Sequence, residues 1–174
     1  MSKTKKLTLC ALLVALDIIC TRLLFFFTPG NVDRLSLQFL PNAVAGMVLS
    51  PLAAALVTVC ADLLGMLLNS AGQTFTPFFT LSAAVRGVLY SLVLRGREIT
   101  VKRAFLASLC VTLVVDIGMN PFWISMLYGT PYTAVLLAKL PVRAVWVFVQ
   151  AAVIYFVGRP VKRQLDKTMP GGKI

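Results

Sequence analysis

The 174-residue chain is 59% hydrophobic and 13% charged, with a mean hydropathy of +0.88 and a formal charge of +11. Soluble domains carry about 25% charged residues, so this composition excludes a water-soluble globule and places the chain in lipid. The absence of histidine removes Ser-His-Asp hydrolysis, HExxH zinc chemistry and most haem or copper ligation. No GxxxxGK[ST] phosphate loop occurs, so the energy for any uphill movement of a solute must come from elsewhere.

The basic start MSKTKK resembles a signal-peptide n-region. The apolar stretch 7–27 behind it is too long for an h-region and lacks a small-x-small cleavage site, so it reads as a retained first helix. Further apolar stretches cover 35–49, 52–68, 78–94, 104–128 and 133–157, separated by Thr28-Pro29-Gly30-Asn31, Ser50-Pro51, 69–73, the charged 95–103 stretch and Gly129-Thr130-Pro131. A membrane helix needs roughly 20 mostly apolar residues. The expected fold is therefore an all-α integral membrane protein, one domain over 1–174 with six transmembrane helices and a basic C-terminal tail, 158–174. The four cysteines lie singly in apolar runs and read as packing residues, with neither a metal cluster nor a disulfide frame indicated.

Lys3, Lys5 and Lys6, then Arg95, Arg97, Lys102 and Arg103, then Arg159, Lys162, Arg163, Lys167 and Lys173 fall on one side of a six-span topology. The positive-inside rule makes that side cytoplasmic, with both termini inside and the protein multi-pass in the cell membrane. The positive charge is thus a topology signal with some attraction for anionic lipid, and no soluble face remains to present to nucleic acid.

Five cations remain, Arg22, Arg34, Arg86, Lys139 and Arg143, all in outer loops or the outward halves of helices. An Arg near the bilayer centre costs roughly 2.5–3.5 kcal/mol on insertion scales. Arg22 and Lys139 either pair or snorkel to the outer interface, whereas Arg86 and Arg143, deeper in their helices, are expected to pair or to touch a ligand. Asp17, Asp62 and Asp116 either neutralise these cations or read a ligand edge, since a carboxylate accepts two parallel hydrogen bonds from an amidine-like group. Asp62 or Asp116 could alternatively serve as acid or base in a small membrane enzyme, but no acidic pair at motif spacing accompanies them.

Aromatic residues concentrate near the outer ends: Phe75, Phe78 and Phe79 interleaved with threonines, then Asn120-Pro121-Phe122-Trp123, Tyr128 and Tyr132. They form either an interfacial belt or the walls of a site. Pro121 and Pro131 break or bend the backbone at the same level, and freed backbone groups persist at membrane depth only when buried or lining a cavity. An outward-facing pocket for a flat, negatively charged heteroaromatic molecule follows. Ala11 and Ala15 form a small-xxx-small pair, echoed by Ala83, Gly87 and Ser91, and suggest a face for docking another helix.

Arg34-Leu-Ser-Leu-Gln-Phe-Leu-Pro41, Phe79-Thr-Leu-Ser-Ala83, Asn120-Pro-Phe-Trp-Ile-Ser-Met-Leu-Tyr-Gly129 and Arg143 resemble, in order and spacing, the folate-type substrate-binding (S) component of energy-coupling factor (ECF) transporters. The resemblance implies a six-helix protein that captures folate or a related vitamin outside. It implies delivery inward with a separate transmembrane coupling protein and two ATPase subunits, no cofactor of its own, and ATP used only by those partners. An S component for riboflavin, pantothenate or a related precursor is the alternative within the class. By motif position the resemblance points to ligand contact at Arg34, Phe39, Ser82, Asn120, Trp123, Tyr128 and Arg143, and to contact with the coupling protein at Ala11 and Ala15. The reading of the residues themselves adds Asp62, Phe75, Phe79 and Arg86. The chain departs from the family's usual Ser-Phe-Gly-Phe-Leu-Pro at Ser36-Leu-Gln-Phe-Leu-Pro41, from a common glycine at Phe78, and from Asn-Thr-Leu-Trp at Asn120-Pro-Phe-Trp123.

Overall fold

The computed structural model describes residues 3–28, 33–68 and 76–168, and Phe75 lies outside them. Helix α1 (Lys3–Arg22) is followed by a short antiparallel hairpin, β1 (Phe25–Phe27) and β2 (Arg34–Ser36). Helices α2 (Phe39–Val48), α3 (Pro51–Leu68) and α4 (Pro77–Leu94) come next. Then α5 (Val101–Val111), a π-helical stretch (Thr112–Met119) and α6 (Asn120–Tyr128) form one continuous 28-residue rod, and α7 (Tyr132–Thr168) closes the bundle. Counting the rod once, the described residues form six helices.

Four of them are long and apolar enough to cross a membrane: α3, α4, the rod Val101–Tyr128, and α7 over Tyr132–Gln164. Helix α2 is apolar but has only 10 residues, about 15 Å of rise against a hydrocarbon core of about 30 Å. Large apolar side chains such as Leu52, Leu67, Val145 and Phe156 point outward, as expected of a surface whose solvent is lipid.

The first apolar stretch was expected to stay helical through Phe27, and it does not. The helix ends at Arg22, where Leu23 and Leu24 both donate backbone N–H groups to the Ile19 carbonyl, at 2.9 and 3.2 Å. The Arg34 guanidinium donates to the Thr21 carbonyl, satisfying one of the groups a helix end leaves open. Three successive phenylalanines, good strand formers, then pair with 34–36 in the register Phe26 opposite Leu35. The second helix accordingly begins at Phe39 rather than 35, and the last continues through Pro160 to Thr168.

Small residues set the helix spacing. A Cβ on Gly46 would lie 2.7 Å from Tyr90, and one on Gly87 would lie 2.8 Å from the Ala54 carbonyl oxygen, so α4 is pressed against both α2 and α3. Ser91 adds a hydrogen bond of 2.9 Å to the Leu49 carbonyl. The Ala83, Gly87 and Ser91 series, expected to admit the close approach of another helix, meets α2 and α3 inside the bundle. Ala11 and Ala15 differ: both are exposed on α1, beside the exposed Leu12 and Leu16.

Candidate ligand-binding site

The end of α1, the hairpin, and α2, α3, α4, the rod and α7 enclose a cavity of about 310 Å³, at the small end of the range for drug-sized ligands. Its lining gathers residues far apart in sequence. Arg34, Phe39, Asp62, Phe79, Ser82, Arg86, Asn120 and Arg143, all singled out above, meet here.

The floor and one wall are an ion network. Asp33, in the connection between the two hairpin strands, accepts from Lys139 Nζ at 3.0 Å and from Arg143 Nε and Nη2 at 2.5 and 3.0 Å. Arg143 Nη1 donates to Asp116 at 2.9 Å. Asp116 in turn accepts from Arg86 Nη2 at 3.3 Å and Asn120 Nδ2 at 3.4 Å, while Arg86 Nη1 donates to Gln38 at 2.7 Å. Burial alone pushes the Asp33 carboxyl up, but the hydrogen bonds and charge of Arg143, joined by Lys139, outweigh it and hold it below the usual carboxylate range. Its position is fixed locally by Thr28, whose hydroxyl donates to the Asp33 carbonyl at 3.1 Å and accepts the Asp33 N–H at 2.9 Å.

A second wall carries Arg22 and Asp62, 3.9 Å apart, with Thr80 donating to the other Asp62 oxygen at 2.8 Å. Gly65 makes room for this arrangement, since a Cβ there would come within 3.1 Å of Arg22 Nε. Snorkelling is thus ruled out for both doubtful cations: Arg22 and Lys139 are buried and ion-paired. Asp62 and Asp116, weighed above as acid or base, are each bound to arginine.

Asp116 lies on the rod's π-helical stretch, shortly before Pro121. Pro121 has no N–H to give the carbonyl four residues back, and its ring would crowd that group. Widening the preceding turns relieves the conflict. Pro121 and Pro131 were expected to break or bend the backbone: Pro121 is absorbed within the rod behind the π-helical stretch, and Pro131 stands in the connection to α7.

The aromatic walls are Phe27, Phe39, Phe79 and Trp146. Trp146 meets Phe26 and Phe39 edge-on, with ring centroids 6.0 and 5.9 Å away. Trp123 stands behind the lining: stacked on Phe78 at 4.7 Å, it donates Nε1–H to Ser82 Oγ at 3.1 Å. Tyr128 is 63% exposed and is not part of the cavity lining. Buried side-chain atoms of the lining without a hydrogen-bond partner include Arg34 Nε, Tyr90 OH, Asn120 Oδ1 and Gln150 Oε1.

Asp33, Gln38, Lys139, Trp146, Gln150 and Tyr90 were not among the candidates. Tyr90 continues the Ser82 and Arg86 face at four-residue spacing, and Trp146 and Gln150 continue that of Lys139 and Arg143, so helical periodicity carried a signal for them.

The pattern of the family described as ECF transporter, substrate-specific component matches residues 5–158. The chain belongs to that family. It is a multi-pass membrane protein that binds a substrate for transport and is not an enzyme. The folate transporter FolT of Clostridium novyi (strain NT) is 34% identical over 163 residues, covering 94% of this chain and 93% of the relative. FolT of Leuconostoc mesenteroides is 30% identical over 131 residues, covering 74% and 68% of the two chains. A crystal structure of FolT bound with folic acid superposes with a TM-score of 0.81 at 30% identity, covering 89% of this chain and 93% of that one.

Proposed function

We propose that this S component captures folate at the outer face of the cell membrane and delivers it inward with a transmembrane coupling protein and two ATPase subunits. Capture is an equilibrium, with no covalent step. The observation that carries the reading is the charge of the cavity: Arg22, Arg34, Arg86, Lys139 and Arg143 against Asp33, Asp62 and Asp116, an excess of cation that suits the two carboxylates of a glutamyl tail. Phe39, Phe79 and Trp146 offer faces for a pterin ring. The unpartnered polar atoms of Tyr90, Asn120 and Gln150 call for donors and acceptors from the bound molecule, because a buried polar group left unmade costs about 1–3 kcal/mol.

In this reading Arg34, Phe39, Asp62, Phe79, Ser82, Arg86, Asn120 and Arg143 contact the vitamin, and Trp123 acts through Ser82. Six spans place both termini in the cytoplasm and open the cavity outward, and the exposed Ala11 and Ala15 face the coupling protein. The FolT relatives and the folic-acid-bound neighbour support folate over other vitamins. Titration of the purified protein tests it: folic acid should bind, Arg86→Ala should weaken it at least about tenfold, the scale of a charged hydrogen bond, and pteroic acid, lacking the glutamate, should bind more weakly. Absence of folic acid binding by the native protein overturns the reading.

A further inference from the structure

Helix α4 begins beside the vitamin cavity and ends beside a second one, of about 640 Å³, that vitamin capture leaves unexplained. This cavity lies between the start of α5 and the last turns of α7, and Val101, Glu98, Tyr155, Arg159, Lys162 and Arg163 line it. Three cations face a single carboxylate. Arg159 and Arg163 are exposed, and Arg159 is steadied by Tyr155, donating to its hydroxyl at 2.9 Å with the guanidinium 5.7 Å from the ring centroid. Lys162 donates to the Arg97 carbonyl, which ties α7 to the loop before α5.

Below this charged mouth the surface turns apolar. Val101 is 60% exposed. One turn deeper on α5, Phe105 packs on Phe148 of α7 with ring centroids 5.4 Å apart, and Phe148 is itself 65% exposed. Phe148, Tyr155 and Arg159 share one face of α7 by helical spacing and span about 16 Å along its axis. The face therefore reads, from the bundle's interior outward, as ring, amphipathic ring, cation. That is the sequence of a bilayer leaflet from acyl chain to interface to headgroup.

We propose that this cavity binds the phosphate headgroup of an anionic phospholipid, with an acyl chain lying along the α5–α7 seam over Phe105 and Phe148. Basic pockets between membrane helices are suited to such headgroups, and each Lys or Arg near an anionic surface contributes roughly fivefold in affinity. Glu98 at the mouth disfavours a second phosphate close by.

Native mass spectrometry of the full chain in detergent, titrated with phosphatidylglycerol or phosphatidylcholine, tests the site. Phosphatidylglycerol should be retained more strongly than phosphatidylcholine. The triple variant Arg159→Gln, Lys162→Gln, Arg163→Gln should lose that retention by roughly a hundredfold. Lys5→Gln with Lys6→Gln, which removes charge from the start of α1 but not from the cavity, should keep it. Equal retention of the two lipids by the native protein overturns the proposal, and this arm needs no variant to fold. So does equal loss in the α1 variant, which would mean diffuse charge attraction. Displacement of the lipid by equimolar glycerol 3-phosphate also overturns it, since the site would then recognise a free phosphate and not a lipid.

Discussion

Arg143 holds Asp33 across 110 residues of chain with two nearly parallel hydrogen bonds, Nε to Oδ2 at 2.5 Å and Nη2 to Oδ1 at 3.0 Å, and turns its third nitrogen to Asp116. The guanidinium is thereby the joint between the hairpin, the rod and α7. A lysine there would keep the charge but could not supply the fork. Arg143→Lys should lower folic acid affinity by about tenfold or more, the scale of one charged hydrogen bond, and Arg143→Ala should lower it further. Titration calorimetry on the two variants side by side checks the order; equal affinities would mean that charge alone matters.

Asp33 gives the fold a defined response to acid. Its carboxyl is held below the ordinary range, so the folded state favours the ionised form more than the unfolded chain does. The stabilisation is complete above the unfolded value of about 3.9 and fades as pH falls through the lower folded value. Asp33→Asn, which leaves Lys139 and Arg143 short of a counter-charge, should cost about 3–5 kcal/mol at neutral pH. The difference in melting temperature between native protein and variant should shrink progressively below about pH 4. Thermal scans in detergent across pH 3–7 would show a constant difference if Asp33 titrated normally.

The close approach of α2 to α4 leaves no space at Gly46, where an added Cβ would meet the backbone of Tyr90 at 2.7 Å. Gly46→Val should lower stability by about 1–3 kcal/mol, the usual effect of overpacking. Because Tyr90 also lines the vitamin cavity, folic acid affinity should fall with it. A melting temperature unchanged from the native protein would refute the tight packing.

Ala11 and Ala15 are on the exposed face of α1, clear of the vitamin cavity. Ala11→Trp or Ala15→Trp should leave folic acid binding by the isolated protein within about twofold, as for surface substitutions worth about 0.5 kcal/mol or less, while abolishing ATP-driven uptake in proteoliposomes with the coupling module. Loss of binding instead would place this face in the vitamin site.

The long helices were legible because lipid contact demands unbroken apolar runs, and α3 and α4 agree with their expected limits to within one residue. The hairpin was not, because Phe25, Phe26 and Phe27 extend the hydropathy of α1 whichever conformation they adopt. Charged groups inside apolar helices revealed Arg86, Asp116 and Arg143, whose burial has to be offset by a partner. Asp33 gave no such signal: an aspartate in a connection is ordinary until the fold brings Lys139 and Arg143 against it. The same long-range pairing decided Arg22 and Lys139, for which sequence left two outcomes open. Trp123 was found by its motif, but its place behind Ser82 rather than on the cavity surface depends on stacking with Phe78, which periodicity does not encode.

The π-helical stretch acts as a phase adjuster in the rod. Each residue of a regular helix advances about 100° around the axis, so deleting Val114 to restore an ordinary helix would swing Asn120 and Trp123 by about that angle relative to everything before the stretch. Asp116 and Asn120, both beyond the deletion, would turn together away from Arg86 and Arg143, and Trp123 would leave Ser82. The rod therefore carries a length constraint: a substitution along Thr112–Met119 leaves the register alone, but an added or missing residue must be compensated before Asn120 or the two halves of the site fall out of step.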